Sequence, residues 1–575
     1  MDPGVYFLAL RSAPGIECCC IYINTPISAA DSERILVDKQ LGSLRKAVEE
    51  LNAQIAVQVA YRNTLATINR LPDIILYTIF SCFQEKYRAR PRKSLEWIRV
   101  THVCEHWRSV ALDHAVLWTY IPLHRERWIP EFIKRSKSAL LTFEVQEDDV
   151  NFASLENLMR QHVSRLQALK IHRGVTDKKL QELFSDLPAG SATQLQSLQL
   201  PDDMESCTAI ASIRRCLGRI SSLRELDVAW SLDWSSGIFT GLTRLTLSSQ
   251  KPRHPNNPHL PHHFLGALRR MPFLRVLHLG GDRLPIPESS VSDPVNLPYL
   301  QSLHLSDSSA RLCSALRCIT FPGTVQARLY FKIVQFAEVN EIVKRLAAFK
   351  SPDRPAIRNL KVKWEERRMQ LTGWTGSPDE EMFGPKFDEE DCYFQVTVSC
   401  SIQFRPREEQ KQAILIAISC ITSPAPPLTV LFLSAFEPIF DLNEYFRVLG
   451  RQPELHTIFV KGTIFWPLLQ SITLMSSPKE NPPNYPALRH LNVCGVFFYP
   501  KGQRRPFEDL QEILEVRKKY GMKLHSIDFM ECQSISRGNI AALEKIVDKV
   551  TWDELEIGLS EGYEDEEDFE DDDSD

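Results

Sequence analysis

Apolar side chains fall into three rhythms along this chain, and each rhythm predicts a different element. Between Asp31 and Ile68 there is no proline and one glycine, and Leu41, Leu44, Val48, Leu51 and Ile55 are spaced by three and four residues. That period is helical and aligns one apolar stripe, so residues 31–68 are predicted to form an amphipathic helix with a heptad seam. Gln58 and Arg62 interrupt the seam before Leu65 resumes it. Two readings stand: a long helix leading into the next segment, and a coiled coil. The short seam favours the first.

The second rhythm starts at Leu71-Pro72-Asp73-Ile74-Ile75-Leu76-Tyr77-Thr78-Ile79-Phe80. After a basic loop over 85–93 it resumes through Val100, Val103-Cys104, Trp107-Arg108 and Leu117-Trp118. Pro72 has the fixed φ of a first helical position and Asp73 places a carboxylate at a helix N-terminus, which predicts a helix start. Ile75, Ile79 and Cys82 share one face, while Leu76, Phe80 and Phe83 share a neighbouring one. A short helix with two apolar faces covers a small core with one and hides the other against a partner or an adjoining domain. A plain helical hairpin packed on the rest of the chain is the blander reading.

The third rhythm is apolar-x-x-apolar-x-apolar. It recurs at Leu140/Phe143/Val145, Leu166/Leu169/Ile171, Leu195/Leu198/Leu200, Leu223/Leu226/Val228, Leu242/Leu245/Leu247, Leu274/Leu277/Leu279 and Leu300/Leu303/Leu305, with starts 19 to 32 residues apart. Weaker copies fall at Leu329/Phe331, Ile357/Leu360/Val362 and Val396/Val398. Clearer ones resume at Leu428/Leu431/Leu433, Leu455/Ile458/Val460, Leu488/Leu491/Val493, Leu524/Ile527/Phe529 and Trp552/Leu555/Ile557. This period belongs to leucine-rich repeats, in which each unit supplies a short strand and a helical or irregular return. The expected fold class is α/β: an N-terminal helix and a helical module, then an irregular parallel solenoid whose units share one core. A sandwich of ordinary strands is the alternative. Helical returns are expected at 209–217, 264–271, 339–349 and 408–420. A polar insertion over 373–390 and a segment over 476–486 with four prolines should be loops.

Alternation along a strand displays the residue between the two inward ones. In order these are Glu144, Lys170, Gln199, Asp227, Thr246, His278, His304, Tyr330, Lys361, Thr397, Phe432, Phe459, Asn492, Asp528 and Glu556. Displayed aromatic and basic side chains are typical binding anchors, so His278, His304, Tyr330, Lys361, Phe432 and Phe459 are candidates for contacting a protein substrate. Cover of Phe432 and Phe459 by a loop of the same chain is equally compatible with the sequence.

Charge and cysteine usage narrow the class. Residues 561–575 carry eleven acidic side chains and no basic one, so the net charge of −5 becomes +6 without them. A mildly basic body with an acidic tail lacks the one-sided excess of a nucleic-acid binder. The fourteen cysteines show no C-x-x-C spacing and read as reduced thiols, and no apolar run is long enough to span a bilayer. Cytoplasm or nucleus is the expected compartment, with acylation at Cys18 to Cys20 a minor alternative. His254, His259, His262 and His263 cluster in a proline-rich loop without a Cys or carboxylate at ligand spacing, and His102, Cys104 and His106 alternate on a helix. Neither set suits a metal. No phosphate loop or nucleophile motif is present, so neither a cofactor nor an enzymatic activity is expected.

The stretch from Leu71 to Trp118 resembles the F-box, and with the repeats the chain resembles F-box/leucine-rich-repeat proteins of the fungal type, where coiled helices precede the Leu-Pro. The resemblance implies that Leu71, Pro72, Ile75, Ile79, Val103, Trp107, Leu117 and Trp118 build the surface that binds a Skp-family adaptor, or the small core behind it. It also implies a cullin scaffold and an unknown protein substrate as partners, without nucleic acid or membrane. The implied role is a non-enzymatic substrate receptor of a ubiquitin ligase, the alternative being a ligase-independent repeat scaffold. The expected organisation is a disordered N-terminus over 1–30, the helix over 31–68, the F-box over 69–122, repeats over 123–560 and a disordered tail over 561–575.

Overall fold

The computed structural model describes residues 29–88, 95–145, 152–171, 176–200, 208–218, 222–229, 233–247, 261–281, 284–285, 293–333, 357–365, 368–375, 392–400, 428–435, 449–473, 484–499 and 506–554. The expectations for 1–28, 89–94, 339–349, 376–390, 408–420, 476–483 and 561–575 lie outside these residues. The chain divides into two compact units, Met1–Leu117 and Trp118–Asp575.

In the first unit, helix α1 runs Ala29–Leu65 without a break, as the absence of proline predicts. Helix α2 spans Asp73–Arg88. Its first bonds run from the amides of Ile75 and Leu76 to the Pro72 carbonyl, so Pro72 is the capping residue and the helix proper begins at Asp73. Glu85 to Arg88, expected in the basic loop, form the last turn of α2. There Lys86 and Arg88 complement the negative end of the helix dipole. A 3-10 turn over Glu96–His102 then precedes helix α3, Glu105–Asp113. His102, Cys104 and His106 therefore do not share one helix. Cys104 is the extended cap of α3, and its Sγ accepts the Trp107 amide.

The second unit is a mixed α/β body built on a seventeen-stranded sheet among the described residues. Its first strands are β1 (Tyr120–Ile121), β2 (Leu141–Val145), β3 (Leu166–Ile171), β4 (Ser197–Gln199), β5 (Glu225–Val228), β6 (Arg244–Leu247) and β7 (Val276–Gly280). A separate two-stranded sheet holds β8 (Val295–Asn296) and β10 (Ile319–Thr320). The main sheet continues with β9 (Ser302–Ser308), β11 (Gln326–Ile333), β12 (Asn359–Glu365), β13 (Arg368–Trp374), β14 (Phe394–Cys400), β15 (Val430–Ala435), β16 (Thr457–Gly462), β17 (His490–Cys494), β18 (Ser526–Met530) and β19 (Lys549–Trp552). Neighbours pair in parallel and in chain order, with one exception. The middle reads β11, β14, β13, β12, β15, and β13 is antiparallel to both its neighbours.

Register explains the sequence period. Leu169, Leu198, Leu226, Leu245, Leu277 and Leu303 lie opposite one another on successive strands and are each at most 1 % exposed. Leu431, Ile458, Leu491 and Ile527 form the corresponding buried row in the later strands. Each such side chain contributes roughly 1.5–3 kcal/mol by leaving water, so the repeated spacing sets the sheet's pairing as well as its burial. At the strand starts one carbonyl takes two amides from the next unit. Gln196 accepts from Arg224 and Glu225 at 2.7 and 2.9 Å, and His456 accepts from Arg489 and His490, both at 2.9 Å.

Several unit boundaries differ from the expected ones. Leu141 is buried while Leu140 is half-buried, because a bulge shifts β2 against β3 beside Leu141. In the last unit Val550 and Trp552 pair with Ile527 and Phe529, so Thr551, not Glu556, follows Asp528. Leu555 and Ile557 lie beyond the described residues. Gly373 and Trp374, assigned to an insertion, belong to β13. Helical returns form at Thr208–Leu217 and Pro261–Arg269, and the second takes His262 and His263 into its first turn rather than a loop.

Candidate functional site

Each unit carries one candidate surface. On α2 the two apolar faces separate by exposure: Leu76 and Phe80 are fully buried, whereas Ile74 is 59 %, Ile75 43 % and Phe83 45 % exposed. Phe83 thus leaves the face it was expected to share with Phe80. The core behind α2 holds Trp97, Ile98, Val100, Val110 and Ala111. Trp107 joins it from α3, its ring 5.1 Å from Phe80, while its indole nitrogen donates to Asn69 Oδ1 at 2.6 Å. His114 stacks on Tyr77 at 4.7 Å, and Gln84 donates to the Leu117 carbonyl at 2.6 Å. These contacts fix α2 against α3, which leaves an apolar stripe of Ile74, Ile75 and half-buried Ile79 open to solvent.

The predicted adaptor residues therefore fall into two groups. Pro72, Ile75 and Val103 are exposed, and Leu71, Ile79 and Trp107 are half-buried. Leu117 and Trp118 are fully buried and present no surface. Trp118 belongs to the second unit, where its ring meets Phe132 at 5.0 Å and the Arg135 guanidinium at 4.2 Å. Ile74 and Phe83 were missed as open positions, although the helical phase places Ile74 beside Ile75.

On the sheet, the positions between the inward ones fall in one register row, interrupted at β13 by the fully buried Thr372. Thr246, His278, His304 and Arg328 lie opposite one another, and beyond β14 and β13 the row continues through Lys361, Phe432, Phe459, Asn492 and Asp528. Tyr330 lies one pair further along, opposite Ser306 and Thr397. Arg328 holds the register position assigned to Tyr330, and Gln395 the one assigned to Thr397. Ala327, too small to read as an anchor, hid the true phase of that unit. Five of the six candidates share the row, and Tyr330 neighbours it under the Arg368 guanidinium at 5.7 Å.

Neighbours along the row touch. Phe432 and Phe459 stack at 4.5 Å with ring planes 11° apart. His278 and His304 meet edge-on at 5.5 Å, and His278 Nε2 lies 3.0 Å from Ser302 Oγ. Burial, followed by the positive charges of His304, Arg244 and Arg328, pushes the His278 imidazole down to about 4. Burial and Arg328 also lower His304. Both rings are thus neutral at physiological pH, and Arg244 and Arg328 are cations beside them.

Among the described residues, no group of three or more His, Cys, Asp or Glu could hold a metal ion, and no helix is long and apolar enough to cross a membrane. An F-box-like family model matches residues 68–123, which covers α2, α3 and the turns around them. No curated protein matches the chain. Residues 68–123 therefore form an F-box-like domain, a module that generally binds Skp-type adaptors.

Proposed function

We propose that this chain is the substrate-recognition subunit of an SCF-type cullin-RING ubiquitin ligase, and that its sheet is an irregular leucine-rich-repeat solenoid of the fungal F-box type. The observation that carries the reading is the matched domain with its unpartnered apolar stripe. Leu71, Pro72, Ile75, Ile79 and Val103, with Ile74 beside them, would dock the adaptor, while Trp107 and Leu117 support them from within. In the second unit, His278, His304, Lys361, Phe432 and Phe459, with Tyr330 alongside, would hold a protein substrate. Ubiquitin transfer then belongs to other subunits. This chain would accelerate it by holding the substrate near them, without chemistry of its own.

The test is capture of a Skp-type adaptor and cullin by the full-length chain and by two variants. Leu71→Ala with Pro72→Ala is expected to lose on the order of 2–5 kcal/mol, roughly a thirtyfold or greater drop in capture. Ile75→Glu, at an exposed site, should abolish capture without unfolding the chain. Phe459→Ala should retain the adaptor and lose substrate. Equal capture by wild type and both N-terminal variants, or none by well-folded wild type, overturns the reading.

A further inference from the structure

Helix α1 carries an unused surface. Every side chain from residue 30 to 62 is exposed. Val37, Leu41, Leu44, Val48, Leu51 and Ile55 are 49, 44, 62, 55, 57 and 59 % exposed, and they follow one another at alternating intervals of four and three. This spacing keeps all six on one seam of a supercoiled helix. We propose that α1 pairs two copies of this chain as a two-stranded coiled coil.

Two observations select that occupant. The first is area. Six side chains exposing roughly 100 Å² each, with the positions flanking them, bring the seam to on the order of 800 Å² per copy, the size of a standard specific interface. The second is the order of residue types. With Leu41, Val48 and Ile55 at the a positions and Val37, Leu44 and Leu51 at d, two of the three a residues are β-branched and two of the three d residues are leucine. That arrangement favours two strands over three or four, because the a and d side chains enter differently shaped holes.

An antiparallel pair that superposes the two stripes would be centred on Lys46, and Arg45 would face its own copy. In a parallel pair Arg45 faces Gln40 and Asn52 faces Ala47, while Glu33 meets Asp38 and the a residues Arg34 and Arg62 each meet their own copy. Gln58 and Arg62 then occupy the next d and a positions and end the seam before α2. They limit its length rather than oppose its formation. A seam of fewer than three heptads should be reversible, so the dimer is concentration-dependent.

Sedimentation equilibrium of the full-length chain, over roughly 1–100 μM, spans the range in which so short a seam dissociates. The mass should rise from 65.9 kDa towards twice that value. Leu44→Glu with Leu51→Glu alters only exposed side chains, so it should keep wild-type circular dichroism and remain at the lower mass throughout. Gln58→Leu should strengthen the dimer. A photoreactive residue at position 37 should crosslink to α1 of the other copy, near position 37 in a parallel pair and near Ile55 in an antiparallel one. A wild type that stays monomeric, a mass above two copies, a double variant that still dimerises, a Gln58→Leu chain no tighter than wild type, or a crosslink outside α1 overturns the proposal.

Discussion

His278 shows how a displayed side chain becomes tied to stability. In an unfolded chain its imidazole would titrate near 6.5, whereas in the folded sheet it titrates at about 4. Between those values the unfolded state binds the extra proton, so stability contributed by neutral His278 is present above pH 6.5 and is lost as pH falls towards 4. His278→Gln removes this dependence. Urea unfolding at pH 7 and pH 5 should show a wild-type loss larger than the variant's by about 1–2 kcal/mol, allowing for solvent at the ring's open edge. An identical pH dependence in both chains would show that the proton is taken up elsewhere. The sequence located the histidine and its neighbour His304 on one face. It did not reveal the depth that makes them neutral, because burial here depends on strands more than twenty residues away.

Among the elements, β13 is where the sequence spoke least clearly. Its neighbours in the core face are Phe394 and Leu360, yet its own residue there is Gly373. The missing side chain is replaced by Ile357, whose Cγ2 and Cδ1 would lie 2.9 and 3.1 Å from an added Cβ. Gly373→Ala should therefore destabilise the fold by about 1–3 kcal/mol through overpacking. Thermal melts would show it, with a smaller loss when Ile357→Ala is made in the same chain; a neutral Gly373→Ala alone would mean that Ile357 moves aside freely. A glycine followed by polar residues looks like the start of a loop, and no local signal says that a neighbouring isoleucine fills the gap. The opposite holds for α2. Both its faces were legible from helical phase alone, because Leu76 and Phe80 recur at the spacing that defines a buried side. Only Phe83, the last residue of that side, turned out to be open.

For the whole second unit, most strands pair with their neighbours in sequence, but the reversed middle does not. Ala327 pairs with Phe394, and Asn359 pairs with Val430, so two long stretches of chain must close before β14, β13 and β12 can seat. Runs of nearest-neighbour strands on either side can zip unit by unit, because each new pairing closes a short loop. The middle pairs within itself, β12 with β13 across residues 366–367 and β13 with β14, but its joins to β11 and β15 close long loops, which is slow. The sheet should therefore assemble as two separately nucleated halves, with the three reversed strands as the clasp that joins them last. Pulse-labelled hydrogen exchange during refolding should give peptides over 359–374 and 394–400 the latest protection, and simultaneous protection across the sheet would rule this order out. Such a clasp makes the two halves separable units of cooperativity, so a lesion in either end can melt its own run while the other stays folded.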